Sequence, residues 1–157
     1  MWETLRRFKA LEPKARGLFL RAAVLLPFIS LSLRLRGFQA TQTSLQKRLP
    51  GPVTKLSDQL SEGPTDGPAL TARMVRSAAQ RAWGSPACLE QSLALWWLLG
   101  RQGIASSVRI GTRKNAEKFE AHAWVERDGV ALNEPEEAHK HYAAFGEEFP
   151  MLGEAKK

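Results

Sequence analysis

Cys88 is the only cysteine of the chain, and it stands in Ser85-Pro86-Ala87-Cys88 at the head of a long apolar run. His122 follows 34 positions later, in Ala121-His122-Ala123-Trp124-Val125. A thiol and an imidazole are the pair that covalent acyl transfer needs: the sulfur attacks a carbonyl, and the imidazole takes and returns the proton. Ser85 suits a helix N-cap and Pro86 a first helical position, which predicts Cys88 as the third residue of a helix. There, unpaired backbone N–H groups and the positive end of the helix dipole favour thiolate over thiol. The same N–H groups suit an oxyanion. Taken alone, a free cysteine is often a small buried hydrophobe, and a lone histidine a satisfied core or surface residue. Their joint placement, helix start and then strand, carries the functional reading.

Elements of two periods must hold this pair. Behind Cys88, Leu89 and Leu93 to Leu99 are apolar almost all round, which predicts a centrally buried helix from Pro86 to about Arg101, closed by Gly103. Trp96 and Trp97 are expected in the core. Beyond Gly103 the pattern alternates: Val108 and Ile110 with Ser107 and Arg109 predict one strand, and Phe119–Glu126 a second. On the second strand Phe119, Ala121, Ala123 and Val125 share one face; Glu120, His122, Trp124 and Glu126 share the other. Trp124 is expected to pack on the sheet beside His122. Asp128-Gly129 signals a hairpin, with Val130–Asn133 pairing back.

The hairpin loop decides what lies near His122. A two-residue loop pairs Arg127 with Val130 and puts Asn133 on the face of His122 and Trp124. A three-residue loop with Gly129 as a left-handed bulge pairs Glu126 with Val130 and puts Glu134 opposite His122.

Upstream, Trp2–Leu11, Ala15–Leu35 and Phe38–Leu49 read as helices, the second kinked at Pro27. Ser57–Pro68 reads as a loop, and a helix follows from Pro68 to Trp83, stopped by Gly84. The expected organisation is an N-terminal helical region (1–50), a linker (51–67), a core (68–150) and a tail (151–157). His139 and His141 are read as solvent-facing, with a short helix near Ala138–Phe145.

Composition excludes several classes. The 157 residues suit one domain. One cysteine forms no internal disulfide and builds no cysteine zinc site, which favours a reducing, cytoplasmic setting. The net charge of +7 attracts anions generally. No basic run interleaved with aromatics points to nucleic acid. Ala22–Leu33, the longest apolar run, is shorter than the roughly 20 residues of a membrane span. Arg34 and Arg36 follow where a signal peptide wants small residues. A packed helix is expected, with basic flanks that also suit peripheral contact with an anionic membrane.

Cys-Leu-Glu-Gln-Ser-Leu-Ala-Leu-Trp-Trp-Leu-Leu (88–99), Arg-Gln-Gly-Ile (101–104), Val-Arg-Ile-Gly (108–111) and Ala-His-Ala-Trp-Val-Glu (121–126) together resemble the transglutaminase-like leader peptidases of lasso-peptide biosynthesis. The likeness covers about residues 70–145. It implies an α+β, papain-like core: a central helix packed on a small antiparallel sheet, with N-terminal helices added. It implies Cys88 as nucleophile, His122 as general base and then acid, and Glu134 as third triad member, where the family usually has aspartate. It implies no cofactor and no metal. The chain resembles the stand-alone protease half of a split system. Its implied partners are the precursor's leader peptide, a small winged-helix leader-recognition protein and an ATP-dependent macrolactam synthetase. Two other readings remain: a transglutaminase-like amidase or acyltransferase on another modified peptide, and a non-catalytic peptide-binding scaffold.

Overall fold

The computed structural model describes residues 11–49, 66–82, 84–115, 118–134 and 142–144. The expected helix at Trp2–Leu11, most of the 51–67 linker, His139, His141 and the tail lie outside the described residues. Within them the order is α1 (Pro13–Gln46), α2 (Asp66–Ala79), α3 (Cys88–Arg101), β1 (Ser107–Asn115), β2 (Lys118–Arg127), β3 (Val130–Ala131) and β4 (Ala143–Ala144). The sheet is antiparallel, with order β3-β2-β1-β4. This is the expected α+β architecture, helices against a small antiparallel sheet.

α1 is a helical hairpin. Gly37, at φ 75° and ψ 179°, is its one residue outside helical geometry, a conformation that suits glycine because it has no Cβ. Nine residues of straight helix would hold Ser32 and Thr41 about 13 Å apart. Instead their buried hydroxyls lie at 2.8 Å, and the Arg48 guanidinium sits 5.5 Å over the Phe28 ring. The chain therefore doubles back, and Thr41 Oγ1 ties the corner by donating to the Gly37 carbonyl at 2.8 Å. The break falls at Gly37, between the helices expected over Ala15–Leu35 and Phe38–Leu49, while Pro27, where a kink was expected, keeps helical dihedrals inside the first arm.

The first arm buries Ala15, Leu18, Ala22, Leu25, Leu26, Ile29 and Ser32, a stripe at helical spacing. Leu25, Leu26, Ile29 and Leu45 join one core with Val75 and Ala78 of α2, most of α3, Val108 of β1 and Val125 of β2. α3 lies at its centre, with Leu93 through Trp96, Leu98 and Leu99 buried, as its all-round apolar pattern requires. Trp97 is half-buried, its indole N–H donating to the Leu45 carbonyl at 3.1 Å. An 18-residue window of α1 has a mean hydropathy of 1.8, and the helix is long and apolar enough to cross a membrane and longer than the run Ala22–Leu33 implied. One face of it is nonetheless packed into this core.

α2 begins at Asp66 and closes at Ala79, four residues before the expected Trp83. Residues Ala143 and Ala144 pair with Thr112 and Gly111 as β4, so the helix expected over Ala138–Phe145 does not reach these two positions. Edge pairing with β1 satisfies their backbone instead.

Candidate active site

Cys88 is the first residue of α3, not the third. Ala87 is the N-cap, extended at φ −69° and ψ 169°, and Ser85 is held at φ 44° in the turn before it. Ser85 does not cap because the last turn before α3 is made by side chains reaching backwards. Glu90 accepts the Ala87 N–H, and the Gln91 amide donates to the Pro86 carbonyl at 2.8 Å. The first α-helical bond runs from Gln91 N–H to Ala87 O at 3.1 Å. The N–H groups of Cys88, Leu89 and Glu90 therefore have no intrahelical acceptor and face outward at the positive end of the dipole. The Cys88 side chain is half-buried beside them.

His122 lies on β2, opposite Gly111 of β1. Its Nε2 is 2.8 Å from Glu134 Oε1, and the two side chains are only 20% and 18% exposed. That shielding matters: a solvated pair would exchange for water, whereas a half-buried one holds the ring in a single orientation. With Nε2 engaged, Nδ1 is left for proton exchange with a thiol. Among the described residues no hydrogen bond links Cys88 Sγ to the imidazole. Their meeting is indirect. One turn into α3, buried Ser92 Oγ donates to the carbonyl of Ala123, the neighbour of His122, at 3.0 Å. One helical turn is about 5.4 Å, so the head of α3 is tied to the histidine strand close behind Cys88.

The contact between His122 and Glu134 is made by a route that strand register did not foretell. β2 pairs Arg127 with Val130 and Glu126 with Ala131. The loop is thus the two residues Asp128 and Gly129, with φ 51° and 77°; two successive positive φ values mark a type I′ turn. The three-residue bulge loop, which was to set Glu134 opposite His122, is not formed. The ladder ends after Ala131 instead. Leu132 N–H still reaches the Val125 carbonyl at 2.8 Å, but the Val125 N–H is taken by the Asn133 side chain at 2.7 Å. The chain leaves the sheet there, and Glu134 comes to His122 from that departure.

Asn133 is engaged on every side. Its Oδ1 accepts from Val125, its Nδ2 donates to Ser92 Oγ at 3.2 Å, and its carbonyl accepts from the Arg76 guanidinium of α2. It joins α2, α3 and β2, and the imidazole's partner is Glu134.

Three neighbours, Gly111, Tyr142 and Arg113, carried no signal that pointed to the site. Gly111 leaves room for aromatics: a Cβ there would stand 3.0 Å from the Trp124 indole and from Tyr142 Cβ. Tyr142, the only tyrosine, packs 5.1 Å from the His122 ring centroid, and Trp124 stacks at 6.3 Å, 2% exposed. Arg113 lies 4.8 Å over the Tyr142 ring and pairs with Glu120 at 2.7 Å. The hydrogen bond to Glu120 raises its already high pKa, so this cation stays charged. Trp124 and Tyr142 cover the face of the sheet on which His122 stands. Ser92 alone could have been found, as a polar residue inside an apolar helical run one turn from the cysteine.

A cysteine at a helix start and a carboxylate-held imidazole on the strand tied to that helix form a set suited to nucleophilic attack on an amide or ester. Compared with protein families, residues 22–146 match the model described as the transglutaminase-like superfamily. No curated protein and no solved structure matches.

Proposed function

Since the chain belongs to the transglutaminase-like superfamily, whose chemistry is generally cysteine-based acyl transfer, we propose that it is a cysteine peptidase that removes the leader from a ribosomally made lasso-peptide precursor. The observation that carries the catalytic part is the pair of His122 Nε2 and Glu134 Oε1 at 2.8 Å on the strand bound to the Cys88 helix. The leader-peptide part rests on the resemblance of residues 88–99, 101–104, 108–111 and 121–126.

In this reading Cys88 Sγ attacks the scissile carbonyl carbon and its proton passes to His122 Nδ1. The carbonyl oxygen becomes an oxyanion facing the free N–H groups at the head of α3. The oxyanion collapses, the C–N bond breaks, and the departing amine takes the proton from the imidazolium. Water then attacks the thioester, giving its proton to His122, and the thiol is restored as the leader's new carboxylate leaves. Glu134 orients the ring and steadies its positive charge throughout. A winged-helix recognition protein presents the leader, and an ATP-dependent macrolactam synthetase closes the freed core peptide. These steps belong in the cytoplasm, where precursor and ATP are both made.

Incubation of the protein with precursor and recognition protein, followed by mass spectrometry, tests this. Cleavage is expected with the wild type and none with Cys88→Ala; normal cleavage by Cys88→Ala overturns the assignment. An amine adduct in place of a hydrolysed leader would instead identify an acyltransferase with the same nucleophile.

A further inference from the structure

A groove of about 670 Å³ runs between the first arm of α1 and the loop that leads into Cys88. Pro27, Leu31 and Arg34 line it from α1, and Pro86, Ala87 and Glu90 line it from the other side. The three α1 residues fall at i, i+4 and i+7, one helix face, and span about 10 Å along the axis. All three are exposed, and Leu31 keeps 57% of its surface open. Leu31 also belongs to an apolar stripe with Leu20, Val24, Phe28 and Leu35, each exposed. Residues 13–49 carry seven lysines and arginines and no aspartate or glutamate. Glu90, the one carboxylate among the lining residues, is occupied by the Ala87 N–H at the positive end of a helix, which leaves Arg34, the one cationic side chain among them, to pair with an anionic side chain.

We propose that this groove holds the substrate peptide next to the scissile bond, taking an apolar side chain against Pro27 and Leu31 and a carboxylate side chain at Arg34. This inference rests on the peptidase reading above and adds to it where the substrate lies and which residues it presents. The geometry sets the spacing. Same-side residues of an extended peptide are two apart and about 6.6 Å from each other, which matches an apolar seat and a cation within one wall of this length. The recognised unit is therefore an apolar residue and an acidic one separated by a single residue. Position favours a peptide over a lipid surface: the opposite side includes Ala87, bonded directly to Cys88, so whatever fills the groove lies beside the nucleophile.

The test uses Cys88→Ala, so that nothing is cleaved, and three fluorescein-labelled octapeptides differing only in the central unit: Leu-Ala-Glu, Ser-Ala-Glu and Leu-Ala-Lys. Anisotropy titration should show Leu-Ala-Glu binding about tenfold tighter than either other peptide. Adding Arg34→Glu should reverse the preference toward Leu-Ala-Lys, a gain that an unfolded variant would not show. Adding Arg73→Glu, an exposed α2 position outside the groove with the same charge change, should leave the preference intact. Equal loss with Arg34→Glu and Arg73→Glu overturns the site in favour of diffuse charge attraction. So does co-sedimentation with phosphatidylserine vesicles that Leu31→Asp abolishes and no peptide competes, which would make the stripe a lipid-facing surface. The two readings separate on the precursor. If wild type leaves it uncut while the peptide preference holds, the peptidase reading fails. If it is cut and Arg34→Glu cuts with unchanged KM, the groove fails.

Discussion

Glu134 and Asn133 are adjacent and do different work. Glu134 touches the imidazole, while Asn133 bonds to Ser92, Val125 and Arg76. Replacing each should separate rate from stability. Glu134→Gln keeps shape and acceptor but removes the charge that favours an imidazolium. It is expected to lower kcat about 100-fold or more with little change in Tm. Asn133→Ala strands the Val125 N–H and takes from Ser92 Oγ the donor it accepts from, which costs about 1–3 kcal/mol. A fall in Tm is expected there, with a smaller loss of kcat. Thermal melts and single-turnover cleavage read both; an unchanged rate in Glu134→Gln removes that residue from the mechanism. Local reasoning could narrow the choice to these two residues, because period-two alternation put His122 on a known face. The resemblance pointed to Glu134, and the loop that would have set it opposite His122 by register is not the one formed. One residue more or less in a hairpin is settled by distant partners, here the hydroxyl of Ser92 waiting on another helix.

β1 supports the site from behind through what it lacks. Gly111 pairs with His122, and the Trp124 indole and Tyr142 lie over the space a Cβ would fill. Gly111→Val should force both rings outward, at about 1–3 kcal/mol of overpacking, and loosen the imidazole they cover. The expected result is a lower Tm together with a broadened His122 ring resonance by NMR; an unshifted resonance would show that the aromatic cover does not position the ring. α3 was legible from sequence as a buried helix because apolar residues on all sides admit no exposed face. Its first residue was not legible. Ser85 is the better isolated cap, yet Glu90 and Gln91, reaching back to Ala87 and Pro86, hold the turn so that the helix starts at Cys88. The effect sharpens the site, since the Cys88 thiol occupies the first helical position, beside the free N–H groups.

Across the protein, charge and packing divide the labour. α1 buries one side in the core it shares with α3 and β2 and turns a cationic, apolar side outward. An anionic peptide or an acidic partner would be drawn to it over a Debye length, about 10 Å at 0.1 M salt. Raising salt from about 0.05 to 0.5 M should therefore increase KM for precursor several-fold and leave kcat nearly constant, because the half-buried His122–Glu134 pair is screened far less. Steady-state kinetics at two salt concentrations measure this; a fall in kcat alone would place the salt-sensitive charge in the reacting centre instead.

Periodicity was enough to establish the buried helix behind Cys88, the strand bearing His122 and the face on which that histidine stands. Each depends on neighbours one to four residues apart, so each is written in local pattern. The doubling back of α1 at Gly37, the start of α3 at Cys88, the two-residue turn and the arrival of Glu134 at His122 were decided by the fold. Each offered alternatives of nearly equal local cost. The balance came from contacts between residues far apart in the chain: Ser32 with Thr41, Trp97 with Leu45, and above all Ser92 with Asn133.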